Sequence, residues 1–359
     1  MTLELDPGRA ALGNPRLIAA MIDEMAGGAI PFERYMEMAL YHPEHGYYRR
    51  PGRIGRQGDF LTSPVIHPLF GWVVAAWCRE VWDRLGRPAK FTILEPGAGT
   101  GAMASSVLDW ADGRDDGFGE ALEYVAVDPN GTGADSRVTW ARPPIGPIEA
   151  GVIVSNELFD ALPVRVFESS GRGPVEVYVG WDGERFIETQ GPVASIDDAP
   201  EGGRFEVNPR AYPLMADLCS LVGRGAVLTF DYGYPQDELW APWRTRGTLL
   251  CFYRHTSHED PYIHVGEQDM TTHVNFSELA SAAEDAGMAV AGPVSQAEFL
   301  YACGAGTLVE QARSEMAEYF ERRRALEQLA DAAGLGRVRV LAATRGVDGP
   351  LPGFEGGAG

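Results

Sequence analysis

Lysine is almost missing from this chain. Lys90 is the only one, and arginine supplies every other basic residue among the 30. That bias reflects GC-rich coding and carries no function. Cysteine is sparse as well. Cys78, Cys219, Cys251 and Cys303 are scattered with no C-x-x-C pair. This fits reduced, mostly buried thiols in a cytosolic setting better than a zinc site or a disulfide frame. No apolar run approaches the ~20 residues of a membrane span, so none is expected. The opening residues Met1-Thr2-Leu3-Glu4-Leu5-Asp6 lack a basic stretch followed by an apolar one. That argues against a secretory leader and for a cytoplasmic protein. Positive charge is also short. A net charge of −21 disfavours a nucleic-acid partner, because phosphate binding calls for a basic surface. An acidic, solubilising surface accounts for the charge.

What is present is core material: 359 residues, 45 % hydrophobic, with eight Trp, enough for one large domain or two smaller ones. The most informative run is Phe91-Thr92-Ile93-Leu94-Glu95-Pro96-Gly97-Ala98-Gly99-Thr100-Gly101. It reads as a buried strand that ends in an acid and breaks into alternating glycines. Such a turn lets the backbone approach a nucleotide closely, because glycine has no Cβ and accepts positive φ.

The chain around it alternates strands and helices. Helices are expected from Asn14 to the Gly27-Gly28 stop, from Ile30-Pro31-Phe32 through Met38, and from His67 to Leu85. Strands are expected at Phe91–Leu94, Leu122–Val127, Val138–Trp140, Gly151–Ser155 and Ala226–Phe230, with a helix from about Gly101 to Trp110. This pattern implies a mostly parallel sheet covered on both faces. Ligands bind such sheets beyond the carboxyl ends of the strands. Glu95, Asp128, Asn156, Glu157 and Asp231 all fall at such ends. Val164 to Val207 departs from the alternation and reads as a β-hairpin insertion. Ser277–Ala286 and Thr307–Leu329 are helical again, and Val338–Ala343 is a last strand.

The glycine turn alone does not choose between NAD, FAD and S-adenosylmethionine (SAM). Glu95 does more. A carboxylate at the strand end would repel a pyrophosphate, whereas SAM carries a sulfonium and an ammonium that it would stabilise. This disfavours an NAD-dependent oxidoreductase. Asp128, closing the second strand, is placed to accept from both ribose hydroxyls; the alternative is a turn residue before Pro129-Asn130-Gly131.

Several long motifs occur in order. They are Tyr35-Met36-Glu37-Met38-Ala39-Leu40-Tyr41-His42-Pro43-Glu44-His45-Gly46-Tyr47-Tyr48, Gly58-Asp59-Phe60-Leu61-Thr62-Ser63-Pro64 and Asn156-Glu157-Leu158-Phe159-Asp160-Ala161-Leu162-Pro163. Asp231-Tyr232-Gly233-Tyr234, Arg246-Gly247-Thr248-Leu249 and Asp269-Met270-Thr271-Thr272-His273-Val274-Asn275-Phe276 complete the set. From about Ile30 to Phe276 the chain resembles the MidA-like class I SAM-dependent methyltransferases, whose mitochondrial members methylate arginine on a respiratory complex I subunit and support its assembly. Where that family's turn usually carries arginine this chain has Ala98. Val65 stands where a Glu is common and Asn275 where an Asp is common.

The resemblance implies an α/β fold: a Rossmann-like class I methyltransferase sheet with an N-terminal helical segment and the hairpin insertion. The expected division is a helical, cofactor-covering segment over 1–88, a core over 89–345 with the insertion at about 164–207, and a Gly/Pro-rich tail over 346–359 without order. The cofactor would be SAM, held by Asp59, Thr62, Ser63, Glu95, Gly97, Gly99, Asp128 and Asn156. For Thr62 and Ser63 the alternative is a cap on the following helix. Glu157, Asp160 and His273 are the candidate catalytic groups. Two carboxylates three residues apart can hold a guanidinium, and either could act as a general base for a hydroxyl or carboxyl acceptor. An imidazole could take a proton near neutral pH, or His273 could be structural. Tyr232 and Tyr234 could meet a cation through their rings or simply pack. No metal is expected, because His255, His258 and His264 lack ligand spacing. The acceptor is open between a protein arginine and a small O, N or carboxyl metabolite. A homodimer is an open option, and the non-enzymatic alternative is a SAM-binding assembly factor.

Overall fold

The strand expected at Phe91 runs on to Pro96 and lies inside a seven-stranded sheet. The structure is a computed structural model and describes residues 12–49, 62–131, 133–170 and 173–354. The sheet strands are β1 (Phe91–Pro96), β2 (Leu122–Val127), β3 (Val138–Ala141), β4 (Ile148–Asn156), β5 (Val222–Asp231), β6 (Ala289–Ser295) and β7 (Arg339–Arg345). Their order is β6-β7-β5-β4-β1-β2-β3. All neighbours from β5 to β3 pair parallel, while β7 pairs antiparallel with both β5 and β6. β4 and β5 are buried almost throughout, as a sheet covered on both faces requires.

By their contacts, the residues form two compact units. One comprises Leu61–Leu158, Tyr212–Gly233 and Asn275–Gly359 and holds the seven-stranded sheet. The other comprises Met1–Phe60, Phe159–Ala211 and Tyr234–Val274. The cut expected at residue 88 is therefore displaced. Helix Leu69–Arg84 is apolar on most of its surface, with Phe70, Val73, Val74, Trp77, Val81 and Trp82 buried. Such a helix belongs under a sheet, and these side chains share the sheet's core cluster with Phe91, Ile93 and Phe230.

The tail is a second correction. Leu351 and Phe354 are 4 % and 5 % exposed, and the Phe354 ring lies 5.9 Å from that of Phe299. Two large apolar side chains outweigh the entropy of a Gly/Pro-rich stretch once a core offers them a place. β6 was not anticipated because Gly292-Pro293 interrupts its apolar pattern; the pairing shifts register there, between Ala291 and Val294. The helix expected over Thr307–Leu329 is two, Ala305–Gln311 and Met316–Leu329.

In the other unit, Asn14 caps helix Pro15–Glu24 through its side chain, and helix Phe32–Tyr41 follows. The expected hairpin insertion is an antiparallel sheet in the order Ile30–Pro31, Gly173–Trp181, Arg165–Ser170, Gly203–Val207, with Phe186–Val193 pairing onto Gly173–Trp181. A three-stranded sheet joins Thr256–His258, Leu250–Tyr253 and Asp269–Thr271. Tyr35, Phe186, Cys251 and Met270 share this unit's core.

Candidate functional site

The order of strands reverses between β1 and β4, so the loops leaving those two strands part and open a crevice. The glycine turn leaves β1 there. Gly97, Gly99 and Gly101 have φ of 74°, 53° and 75°, a left-handed run that side-chain-bearing residues rarely adopt. A Cβ on Gly97 would stand 3.2 Å from Leu158 Cδ1. The turn is tied to the neighbouring strand end: the Gly97 and Ala98 N–H groups both donate to the Val127 carbonyl, at 2.8 and 3.2 Å. Helix Ala102–Asp112 starts directly after it, with its first N–H groups at the crevice.

Glu95 is 4 % exposed and accepts from the Tyr124 hydroxyl at 2.7 Å. Burial pushes its carboxyl up to about 8, the Tyr124 bond opposing that and the Asp128 charge adding to it. Without a cation beside it, Glu95 is thus mostly protonated at neutral pH. The carboxylate expected to repel a pyrophosphate is a carboxylic acid that becomes charged when a cation arrives.

Asp128 is half-buried. One carboxylate oxygen accepts from Gly99 N–H at 3.1 Å and the other from Asn130 N–H at 2.8 Å. Both the turn role and the ligand role are therefore open to it, since each oxygen keeps a further lone pair. Asn156 ends β4. Its Nδ2 donates to Glu157 Oε1 at 3.2 Å, while its Oδ1 is buried and meets no donor among the described residues. Glu157 has φ 51°, a left-handed conformation that costs a non-glycine residue about 1 kcal/mol or more. Its N–H bonds the Phe230 carbonyl at 2.8 Å, and the Leu158 N–H bonds buried Asp231 Oδ2 at 3.1 Å. Asp231 thus holds the strained turn that presents Glu157. This bond was not anticipated; only the position of Asp231 at a strand end hinted at it.

Asp59 lies outside the described residues. Thr62 is the N-cap of helix Ser63–Ile66, but its side chain makes no capping bond. Ser63 is fully buried and donates to Gln296 Oε1 at 2.9 Å; Gln296 in turn donates to the Leu329 carbonyl at 2.8 Å. That bond is internal to the core of its unit.

In the other unit, Asp160 is 5 % exposed. Its carboxyl is met by the backbone N–H groups of Asp160 and Ala161, and burial raises it well above the usual carboxylate range. No arginine or lysine among the described residues pairs with it. The Tyr41 hydroxyl donates to the Ala161 carbonyl at 3.0 Å, and the Tyr48 hydroxyl donates to Asp269 Oδ1 at 2.8 Å. Both tyrosines feel the charges of Asp160 and Asp269, so three motifs far apart in sequence meet in one buried cluster. Asp269 and Tyr48 were not anticipated as site residues, although both lie inside the motifs that carried the resemblance.

His273 is fixed by its backbone: its N–H donates to Thr248 Oγ1 at 2.9 Å. Thr248 Oγ1 in turn donates to Glu206 Oε2 at 3.0 Å. The His273 ring lies 5.2 Å from that of Tyr234, and the Arg244 guanidinium lies 4.6 Å from the Tyr234 ring centre. Tyr234 thus already serves a cation of its own chain. Tyr232 packs against the sheet's core. The rings of His258 and His264 lie 6.3 Å apart, and no group of three or more His, Cys, Asp or Glu among the described residues could hold a metal.

The residues at the crevice fit SAM. The glycines of the turn carry no Cβ, and among the described residues neither the buried Asn156 Oδ1 nor the buried Glu95 carboxyl meets an arginine or lysine. The sheet order and the turn define a Rossmann-like class I methyltransferase. Residues 73–294 match the family model described as "Putative S-adenosyl-L-methionine-dependent methyltransferase". A solved Burkholderia thailandensis protein bound to S-adenosyl-homocysteine is 33 % identical, with a TM-score of 0.88 over 99 % of this chain and 98 % of its own. Two curated relatives are the mitochondrial protein arginine methyltransferase NDUFAF7 of Danio rerio and its homolog in Drosophila melanogaster. The first is 29 % identical over 77 % of this chain and 73 % of its own; the second is 28 % identical over 90 % and 83 %. This chain belongs to the MidA-like methyltransferase family, and it is a SAM-dependent methyltransferase. The cytoplasmic setting expected from the sequence has no support from these relatives, which are mitochondrial. No helix among the described residues is long and apolar enough to cross a membrane.

Proposed function

We propose that this methyltransferase acts on an arginine side chain of a protein. The observation that carries the reading is Asp160, a buried carboxyl with no cationic partner among the described residues. A buried charge without a counter-ion is costly. An incoming guanidinium would relieve that cost and bond the carboxylate through its planar fork. The curated relatives are named protein arginine methyltransferases, which agrees. In this reading the SAM amino-acid end is met by Glu95 and Asn156, its ribose by Asp128, and the turn Gly97–Gly101 lets the backbone approach. SAM supplies a methyl on a good leaving group, so the protein's share of catalysis is the alignment of donor and acceptor. Glu157 orients the acceptor nitrogen.

The raised carboxyl of Asp160 also suits a general base for a hydroxyl acceptor, which is the second reading. One experiment separates the two. The protein is incubated with methyl-labelled SAM and a cell extract, and the protein and small-molecule fractions are read by mass spectrometry. Methylarginine in protein, lost in Asp160→Asn, is the expected result. Label confined to a small hydroxyl or carboxyl compound would overturn the arginine reading in favour of the second one.

A further inference from the structure

We propose that Trp140 is a positioning residue for the cofactor: its indole splints the loop after Asp128 against the glycine turn and so fixes the ribose-binding carboxylate. The inference rests on the reading that Asp128 takes the ribose. Trp140 is held at its backbone by β3, where it pairs with Ala126 of β2. Its ring reaches three glycines at once. A Cβ on Gly131 would lie 2.1 Å from Cζ3 and 2.2 Å from Cε3; one on Gly133 would lie 2.5 Å from Cζ2 and 3.2 Å from Nε1. A Cβ on Gly101 would stand 3.1 Å from Cζ2. Gly131 and Gly133 do not have the positive φ that would call for glycine, so it is the indole that leaves no room for a side chain there.

The Asp128 carboxylate spans the same two segments, with one oxygen on Asn130 N–H and the other on Gly99 N–H. The Cβ position of Gly131 is itself 3.3 Å from Asp128 Cβ. Loop, turn and carboxylate are thus one packed unit with the indole as its filling. The choice of Trp has a cost that supports this. Nε1 is buried and has no acceptor among the described residues, whereas a buried indole N–H usually finds one. A phenylalanine would avoid that cost but could not span both Gly131 and Gly133.

The test is calorimetric titration of the full-length chain with SAM, with thermal unfolding of the same samples. Trp140→Phe is expected to keep or raise the unfolding temperature while its Kd for SAM rises about fivefold, the size of a coupling between contacting residues. Gly131→Ala, a wedge against the indole, is expected to raise Kd by about tenfold or more. On an Asp128→Asn background, Trp140→Phe is expected to add no further loss. An unchanged Kd in both single variants, or an equal loss by Trp140→Phe with and without Asp128, would overturn the proposal. Should wild type fail to bind SAM, the assignment of the cofactor site falls first, so the two failures are distinguishable.

Discussion

Affinity for SAM should climb as pH rises from 6 to 7, and Glu95 is the reason. In the free protein its buried carboxyl is raised to about 8, so it holds its proton through this window. A sulfonium and an ammonium beside it favour the charged form, so the complex carries the carboxylate. Binding therefore releases a proton, and affinity increases with pH until the group is already ionised. With the value at about 8, the ionised fraction is about 1 % at pH 6 and about 9 % at pH 7, so Kd should fall by about ninefold. The unliganded fold moves the other way. A raised carboxyl gives stability that is present below its ordinary value of 4.5 and is lost as pH rises through about 8. The assay is titration calorimetry at several pH values, each in two buffers of different ionisation enthalpy, so that the released proton is counted directly. Glu95→Gln leaves all seven histidines in place and should flatten the profile. A flat wild-type profile, or the same slope in Glu95→Gln, would refute the electrostatic reasoning.

Gly97→Arg should abolish SAM binding and cost about 1–3 kcal/mol in denaturant unfolding, because φ 74° is strained for any side chain and Leu158 is 3.2 Å from the added Cβ; unaltered affinity would remove the glycine turn from the site. Phe354→Ala should cost about 3 kcal/mol by urea unfolding if the ring fills the core as it does here, and a loss below about 1 kcal/mol would mean it does not. Thr248→Val removes the acceptor for His273 N–H. It should lower kcat about tenfold with Kd for SAM unchanged, and an unchanged kcat would leave His273 with a framework role only.

The residues proposed for the cofactor side could be picked out from the sequence because their signals are local. Gly97, Gly99 and Asp128 announce themselves by position at the ends of strands whose apolar runs are unmistakable, and β2 begins and ends where the sequence put it. The charge state of Glu95 was not legible. It depends on burial and on Tyr124, 29 residues away in sequence. Nor was the bond between Ser63 and Gln296, separated by 233 residues. The hairpin insertion was visible as alternation, but its pairing with Ile30–Pro31 was not, since pairing over that distance leaves no periodic trace.

By itself, then, the amino-acid order determined the parallel strands, the left-handed glycine turn and the acids at the strand ends, because backbone sterics and hydrophobic period act over a few residues. Only the tertiary structure decided which acids are ionised, which polar groups are already spent on one another, and that Asp160, Tyr41, Tyr48 and Asp269 form one cluster. Those properties come from desolvation and from contacts between segments far apart in the chain, and both exist only once the chain has folded.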